Sequence, residues 1–160
     1  MQHLNFDITV KIEKTDLAKE LEKSTKKNWD LASGFPNDAG YDLRACFPET
    51  FATINPGETR MISTGLHFQL PEPCWEIQVR PRSGLAAKNG ITVLNTPGTV
   101  DFNYREEVKV LLHNTSDKIF RIEPGDRIAQ ACIRWVPAID FVYEEIERTG
   151  RGGFGSTGIN

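Results

Sequence analysis

A chain of 160 residues and 18.0 kDa fits one domain that buries about two-thirds of its unfolded surface without metal or disulfide staples. The net charge of −3 and pI near 5.6 argue against nonspecific binding to duplex DNA or an anionic membrane, although locally gathered arginines still suit a polyanionic ligand. Cys46, Cys74 and Cys132 are odd in number, far apart and without CxxC spacing, which supports neither a disulfide framework nor a zinc site and points to a reducing compartment.

In residues 4–12, Phe6, Ile8, Val10 and Ile12 alternate with polar residues, the period of a strand with one apolar face. Thr15 then offers a helix N-cap, Asp16 an acidic first turn, and Leu17 and Leu21 an i, i+4 apolar pair, with Lys26 and Lys27 where the dipole favours cations. The expectation is one short surface helix over 15–28, its lysines forming a solvated face. From residue 38 onward, short apolar segments cut by Pro-Gly turns have the spacing of an all-β domain. Asn55-Pro56-Gly57-Glu58 and Glu123-Pro124-Gly125-Asp126 are near-copies, each preceded by Ile and followed by a strand carrying Arg, as in a jelly roll or sandwich of paired hairpins. Trp75, Ile77 and Val79 alternate into PRSGLAAKNGI, where Ser83-Gly84 starts a helical turn that Gly90 stops. Pro97-Gly98 suits a type II turn, predicting a hairpin that carries Asp101 and returns through Val108, Val110 and Leu112. Strand alternation resumes from Phe120 to Val136 around Ile122, Ile128, Ala129 and Ile133. No domain linker or apolar run approaching about 18 residues occurs, so one domain over 1–149, no membrane span and a cytoplasmic location are expected. The glycine-rich stretch 150–160 contains Phe154 and a Gly-Ser-Thr-Gly whose N–H groups and hydroxyls suit phosphate oxygens. It reads either as a disordered tail or as an arm that orders over a nucleotide.

Taken singly, these stretches are ambiguous: Asp101 suits a solvated hairpin carboxylate, and PRSGLA and GDRIAQ suit ordinary loops and edges. In order, DAGYDLRA, PRSGLA, GTVDFNYREEV, GDRIAQ and GRGGFGSTG resemble the five motifs of the trimeric deoxyuridine triphosphate nucleotidohydrolases, the dUTPases. The resemblance covers residues 38–158 and implies an all-β, distorted jelly-roll or β-prism subunit with one or two short helices. It also implies a homotrimer whose active sites are assembled from three chains, hydrolysing dUTP to dUMP and pyrophosphate with Mg²⁺. Asp101 matches the aspartate that orients and deprotonates the attacking water. Tyr104 matches the tyrosine under the deoxyribose, and Asn95 matches the residue at the uracil edge, with the backbone around Gly98 completing that edge. Arg82, Ser83, Gly84 and Gln130 match positions holding phosphates, and Asp42 matches the aspartate near the Mg²⁺ water shell. Phe154 matches the aromatic that closes over uracil, with Gly155, Ser156 and Thr157 at the γ-phosphate.

Two positions depart from the family pattern. Glu106 stands where glycine is usual, at a cost of about 1 kcal/mol if the position needs positive φ. Thr149 occupies the place of the fifth motif's arginine, leaving Arg148 or Arg151 to contact the γ-phosphate. The helix at 15–28 stands as an insertion before the first motif. Two other readings of the scaffold remain: a dCTP deaminase, against which Gly84 and Asp101 argue, and a nucleotide-sensing or partner-binding protein with hydrolysis secondary or lost. Direct nucleic-acid binding is not expected.

Overall fold

The computed structural model describes residues 8–148, with eleven strands and two short helices in them. Residues 1–7 and 149–160 lie outside the described residues, which leaves Phe6 and the start of the first predicted strand undescribed. Strand β1 runs Lys11–Lys14 and pairs with β5, Leu66–Gln69, so the strand begins later than the alternation over 4–12 suggested. Ile12 faces Phe68 across the pair. As part of an edge strand it stays 43% exposed while Phe68 is buried.

Helix α1, Asp16–Thr25, forms as its end signals require: the Thr15 hydroxyl accepts from the Ala18 N–H at 3.2 Å. The helix stops at Lys26, which takes φ 55. Leu17 and Leu21 pack against Ala18, Trp29 and Cys46 in a small cluster separate from the main core.

Four antiparallel strands form the larger sheet, in the order β2 (Tyr41–Arg44), β11 (Arg127–Trp135), β6 (Trp75–Pro81) and β8 (Gly98–Val100). A second sheet orders β4 (Thr59–Ser63), β9 (Lys109–Asn114) and β7 (Ile91–Val93). A third pairing joins β3 (Ala52–Ile54) to β10 (Phe120–Ile122). Inward residues such as Leu43, Ile77, Val79 and Ala131 meet Ile62, Ile91, Val110 and Leu112 in one core, the two-layer arrangement expected of alternating strands. Helix α2, Ser83–Asn89, extends further than the single turn expected and ends where Gly90 takes φ 65.

The two Pro-Gly turns are structural equivalents. Gly57 and Gly125 take φ 74 and 83, and backbone bonds Glu58 N to Asn55 O and Asp126 N to Glu123 O, both 3.0 Å, close them. In each, the fourth residue's carboxylate accepts from the first residue's N–H at 2.8 Å. The turns lead out of β3 and β10, which pair with each other.

The hairpin expected around Pro97-Gly98 is corrected. Strand β7 pairs with β9, whereas β8, lying between them in sequence, pairs with β6 in the other sheet. The Thr96–Pro97 peptide is cis and Gly98 has no positive φ, so the type II turn does not form. Gly98 instead sits in close quarters: a Cβ there would lie 3.2 Å from Asn95 Nδ2, a tight contact with the end of a flexible side chain, and 3.5 Å from Val79 Cβ, an ordinary one. Glu106 is likewise absent from the positive-φ residues of the described chain, so it carries no left-handed strain.

Candidate active site

The first, second and fourth motifs meet at one end of the larger sheet. Asp42 on β2 lies opposite Gln130 on β11, which lies opposite Arg80 on β6; such cross-strand partners share a face. The Asp42 carboxylate is largely buried between two guanidiniums. Its Oδ1 accepts from Arg82 Nε at 3.0 Å and its Oδ2 from Arg127 Nη1 at 3.1 Å. Arg44 adds a third guanidinium and donates to the Gly125 carbonyl at 2.7 Å. Burial, reinforced by the Arg127 charge, pulls Arg44 below its ordinary value. Three arginines around one carboxylate leave a surplus of positive charge, which suits a polyanion. Gly40 makes room for Gln130, since a Cβ there would lie 3.1 Å from the Gln130 amide. Ser83 and Gly84 are exposed in the first turn of α2. A Cβ on Gly84 would meet nothing within 4 Å among the described residues, so packing within them does not explain that glycine.

The third motif is built separately. Asp101 is exposed just after β8, and its carbonyl accepts from the Tyr104 N–H at 3.0 Å. The Tyr104 hydroxyl donates to the Glu107 carbonyl at 3.1 Å while the ring stays 42% exposed. Exposed Leu94 and Asn95 precede the cis peptide, and Asn95 lies over Gly98. Beneath the loop, Glu107 accepts from Gly65 N at 2.7 Å and from the Ser63 hydroxyl at 3.3 Å. His67 Nδ1 donates to the Arg105 carbonyl at 2.8 Å, since a carbonyl only accepts. Arg105 stacks over Phe102, 5.4 Å from its centroid.

One chain does not bring these two groups together. Antiparallel β6 and β8 place Gly98 beside Val79 and Val100 beside Ile77, so Asp101 leads away from the sheet end where Arg82 emerges. Three residues of travel in each direction separate them by roughly 20 Å at ordinary strand rise. Arg148 is exposed in the stretch after β11 that belongs to neither helix nor strand. Arg151, Phe154, Gly155, Ser156 and Thr157 lie outside the described residues.

Arg127 and Glu107 are contributors that residue-by-residue matching overlooked. Arg127 is carried in GDRIAQ, where only a surplus of arginine beside a buried aspartate would have singled it out. Glu107 begins the Val108–Leu112 alternation and reads there as a strand residue. Among the described residues no group of three or more His, Cys, Asp or Glu is placed to hold a metal. Each Asp42 oxygen accepts from one guanidinium and keeps further acceptor capacity, so the residues present fit a magnesium carried on substrate phosphates whose water shell would donate to Asp42.

Fold and cluster together define a jelly-roll domain whose larger sheet ends in a group of arginines around one buried aspartate. A dUTPase family model matches residues 28–158, and the chain belongs to the dUTPase family. It is 49% identical over 127 residues to the deoxyuridine 5'-triphosphate nucleotidohydrolase of Clostridium tetani, covering 76% of this chain and 83% of that one. It is 54% identical over 126 residues to the enzyme of the same name from Brucella melitensis, covering 75% and 78%. Among solved structures, a Staphylococcus bacteriophage 80alpha dUTPase variant with dUpNHpp superposes with a TM-score of 0.72 at 21% identity, covering 94% of this chain and 99% of that one. A phage phi11 dUTPase described with a structural Mg(II) ion gives 0.69 at 16% identity, covering 89% and 99%. The matched stretch begins after α1.

Proposed function

We propose that this protein hydrolyses dUTP to dUMP and pyrophosphate; its relatives are named deoxyuridine 5'-triphosphate nucleotidohydrolases. The observation that carries the reading is the Asp42–Arg82–Arg127 cluster with Gln130, formed by three of the five ordered motifs. In this reading Arg82, Ser83, Gly84 and Gln130 hold the triphosphate, while Arg148 or Arg151 reaches the γ-phosphate. Asn95 and the backbone around Gly98 present a complement to uracil. Cytosine would leave a buried polar group unmatched there, a larger loss than a missing apolar contact. The exposed Tyr104 ring packs beneath the deoxyribose and leaves no room for a 2′-hydroxyl. Asp101 holds a water and takes its proton as the water attacks the α-phosphorus. Bound Mg²⁺ neutralises phosphate charge and aligns the chain of phosphates. Phe154, Gly155, Ser156 and Thr157 close the arm formed by 150–160 over the site and exclude water.

The separation of Asp101 from Arg82 within one chain supports a site shared between subunits of a homotrimer. The stretch after β11 supports it as well, because Ile139, Phe141, Val142 and Tyr143 are left exposed in the single chain. No helix among the described residues is long and apolar enough to cross a membrane, and the cytoplasm is the proposed location. The test is a substrate panel of dUTP, dCTP, UTP and dTTP with detection of pyrophosphate and ammonia. Turnover of dUTP with pyrophosphate release is expected, and ammonia release from dCTP overturns the reading. Asp101→Asn is expected to lose turnover and keep dUTP binding; a near-normal rate would remove Asp101 from its role.

A further inference from the structure

We infer that Lys27 and Trp29 are positioning residues for Arg127 in the anion cluster, an inference that rests on the proposed function. The two equivalent Pro-Gly turns supply an internal comparison. At the first, a Cβ on Gly57 would meet nothing within 4 Å among the described residues. At the second, a Cβ on Gly125 would lie 2.5 Å from Lys27 Cδ and 3.1 Å from Trp29 Cη2. Both turns close with the same backbone bond and the same carboxylate cap, so the covering residues are not needed to form the turn. Only the second turn leads straight into the site, since Arg127 comes directly after Asp126 and binds Asp42.

Lys27 Nζ donates to the Pro124 carbonyl at 3.0 Å and to Asp126 Oδ1 at 3.2 Å. The other Asp126 oxygen caps the turn. On the opposite side Arg44 holds the Gly125 carbonyl, and Ala45 N donates to the Asp126 carbonyl at 2.9 Å. Trp29 is buried, and its backbone N–H is held by Glu22 of α1 at 2.9 Å. Among the described residues its indole Nε1 has no partner, and the ring meets Gly125 by its edge. Arg127 pairs with Arg44 across β11 and β2, but the register shifts between Arg127 and Ala129, so this pair is set apart from the regular ladder beyond it. The contacts of the preceding turn therefore share in placing it. Both Lys27 and Asp126 side chains are more than a third exposed, so their ion pair adds little stability, and its loss registers in substrate affinity.

The variant Lys27→Met keeps the aliphatic stem and removes the donors. It is expected to raise KM for dUTP and Kd for a non-hydrolysable imido analogue by about fivefold, with kcat within about twofold and Tm nearly unchanged. Lys27→Arg restores much of the affinity, and Trp29→Phe, which shortens the ring over Gly125, raises KM in the same sense. Glu58→Gln at the first turn is the control and leaves KM unaltered. Unchanged KM and Kd in Lys27→Met, an equal rise in Glu58→Gln, or no recovery with Lys27→Arg overturns the inference. If the wild-type protein fails to hydrolyse dUTP, the proposed function falls, a result distinct from an active wild type with an unaffected Lys27→Met.

Discussion

Asn114 shows how much one polar side chain can decide. It is completely buried, and its Nδ2 donates to the carbonyls of Ile54 at 2.9 Å and Lys118 at 2.7 Å. Its Oδ1 accepts from the Ser116 N–H and hydroxyl, so one amide joins the end of β9 to β3 and to the next turn. Asn114→Asp keeps the size but cannot donate, leaving two carbonyls unmatched and a carboxylate buried. Destabilisation of about 3 kcal/mol or more is expected in chemical unfolding, and a loss under about 1 kcal/mol would show that water replaces the amide. Sequence alone marks Asn114 only as the end of a strand. Asp42 and Arg82 are different: their motifs are local strings that can be read in order, whereas the pairing of Asp42 with Arg127, 85 positions away, depends on the fold. Cys46 likewise reads simply as a free cysteine, and only its burial, reinforced by the Glu107 charge, pushes the thiol up to about 11. It is protonated and unreactive near neutral pH.

At the scale of elements, α1 was legible because everything that defines it is local: the Thr15 cap, the Leu17–Leu21 pair and the terminal lysines. The segment 94–108 was not, because β8 leaves its sequence neighbours to pair with β6, and no short-range pattern encodes that choice. Ile128 and Ala129 are both buried at consecutive positions, breaking period-2 alternation, because the bulge in β11 falls there. Helix α1 is tied to its surroundings by charge as well as packing: Lys14 Nζ lies 2.8 Å from both Glu22 and Asp30. The Lys14 hydrogen bond, with help from the Trp29 N–H, lowers Glu22 below its ordinary carboxylate value, and Lys14 also lowers Asp30. A lowered folded value means that the contribution is complete above Glu22's ordinary 4.5 and disappears as pH falls through the folded value. The Tm gap between wild type and Glu22→Gln should therefore be widest near neutrality and narrow below pH 4.5. A gap independent of pH would show that the Glu22 charge, and with it both the Lys14 and Trp29 N–H bonds to the carboxylate, does not account for the effect.

For the whole molecule, one chain holds the two groups of motif residues, around Asp42 and around Asp101, at opposite ends of a sheet. Motif order made the parts readable, but their separation arises from the antiparallel register of β6 and β8, which the sequence does not display. If the site is completed between subunits, two inactive variants should rescue each other. Arg82→Ala retains Asp101, and Asp101→Asn retains Arg82, so a site with Asp101 from the first variant and Arg82 from the second is intact. Random reassembly of equal amounts into a cyclic trimer gives both conditions at about one site in four, hence roughly a quarter of wild-type activity. The variants are mixed in mild denaturant, returned to buffer and assayed, with mass in solution confirming three chains. Activity no higher than the two separate variants, in particles shown to contain both, would place Asp101 and Arg82 of a single chain in the same site and contradict the shared arrangement.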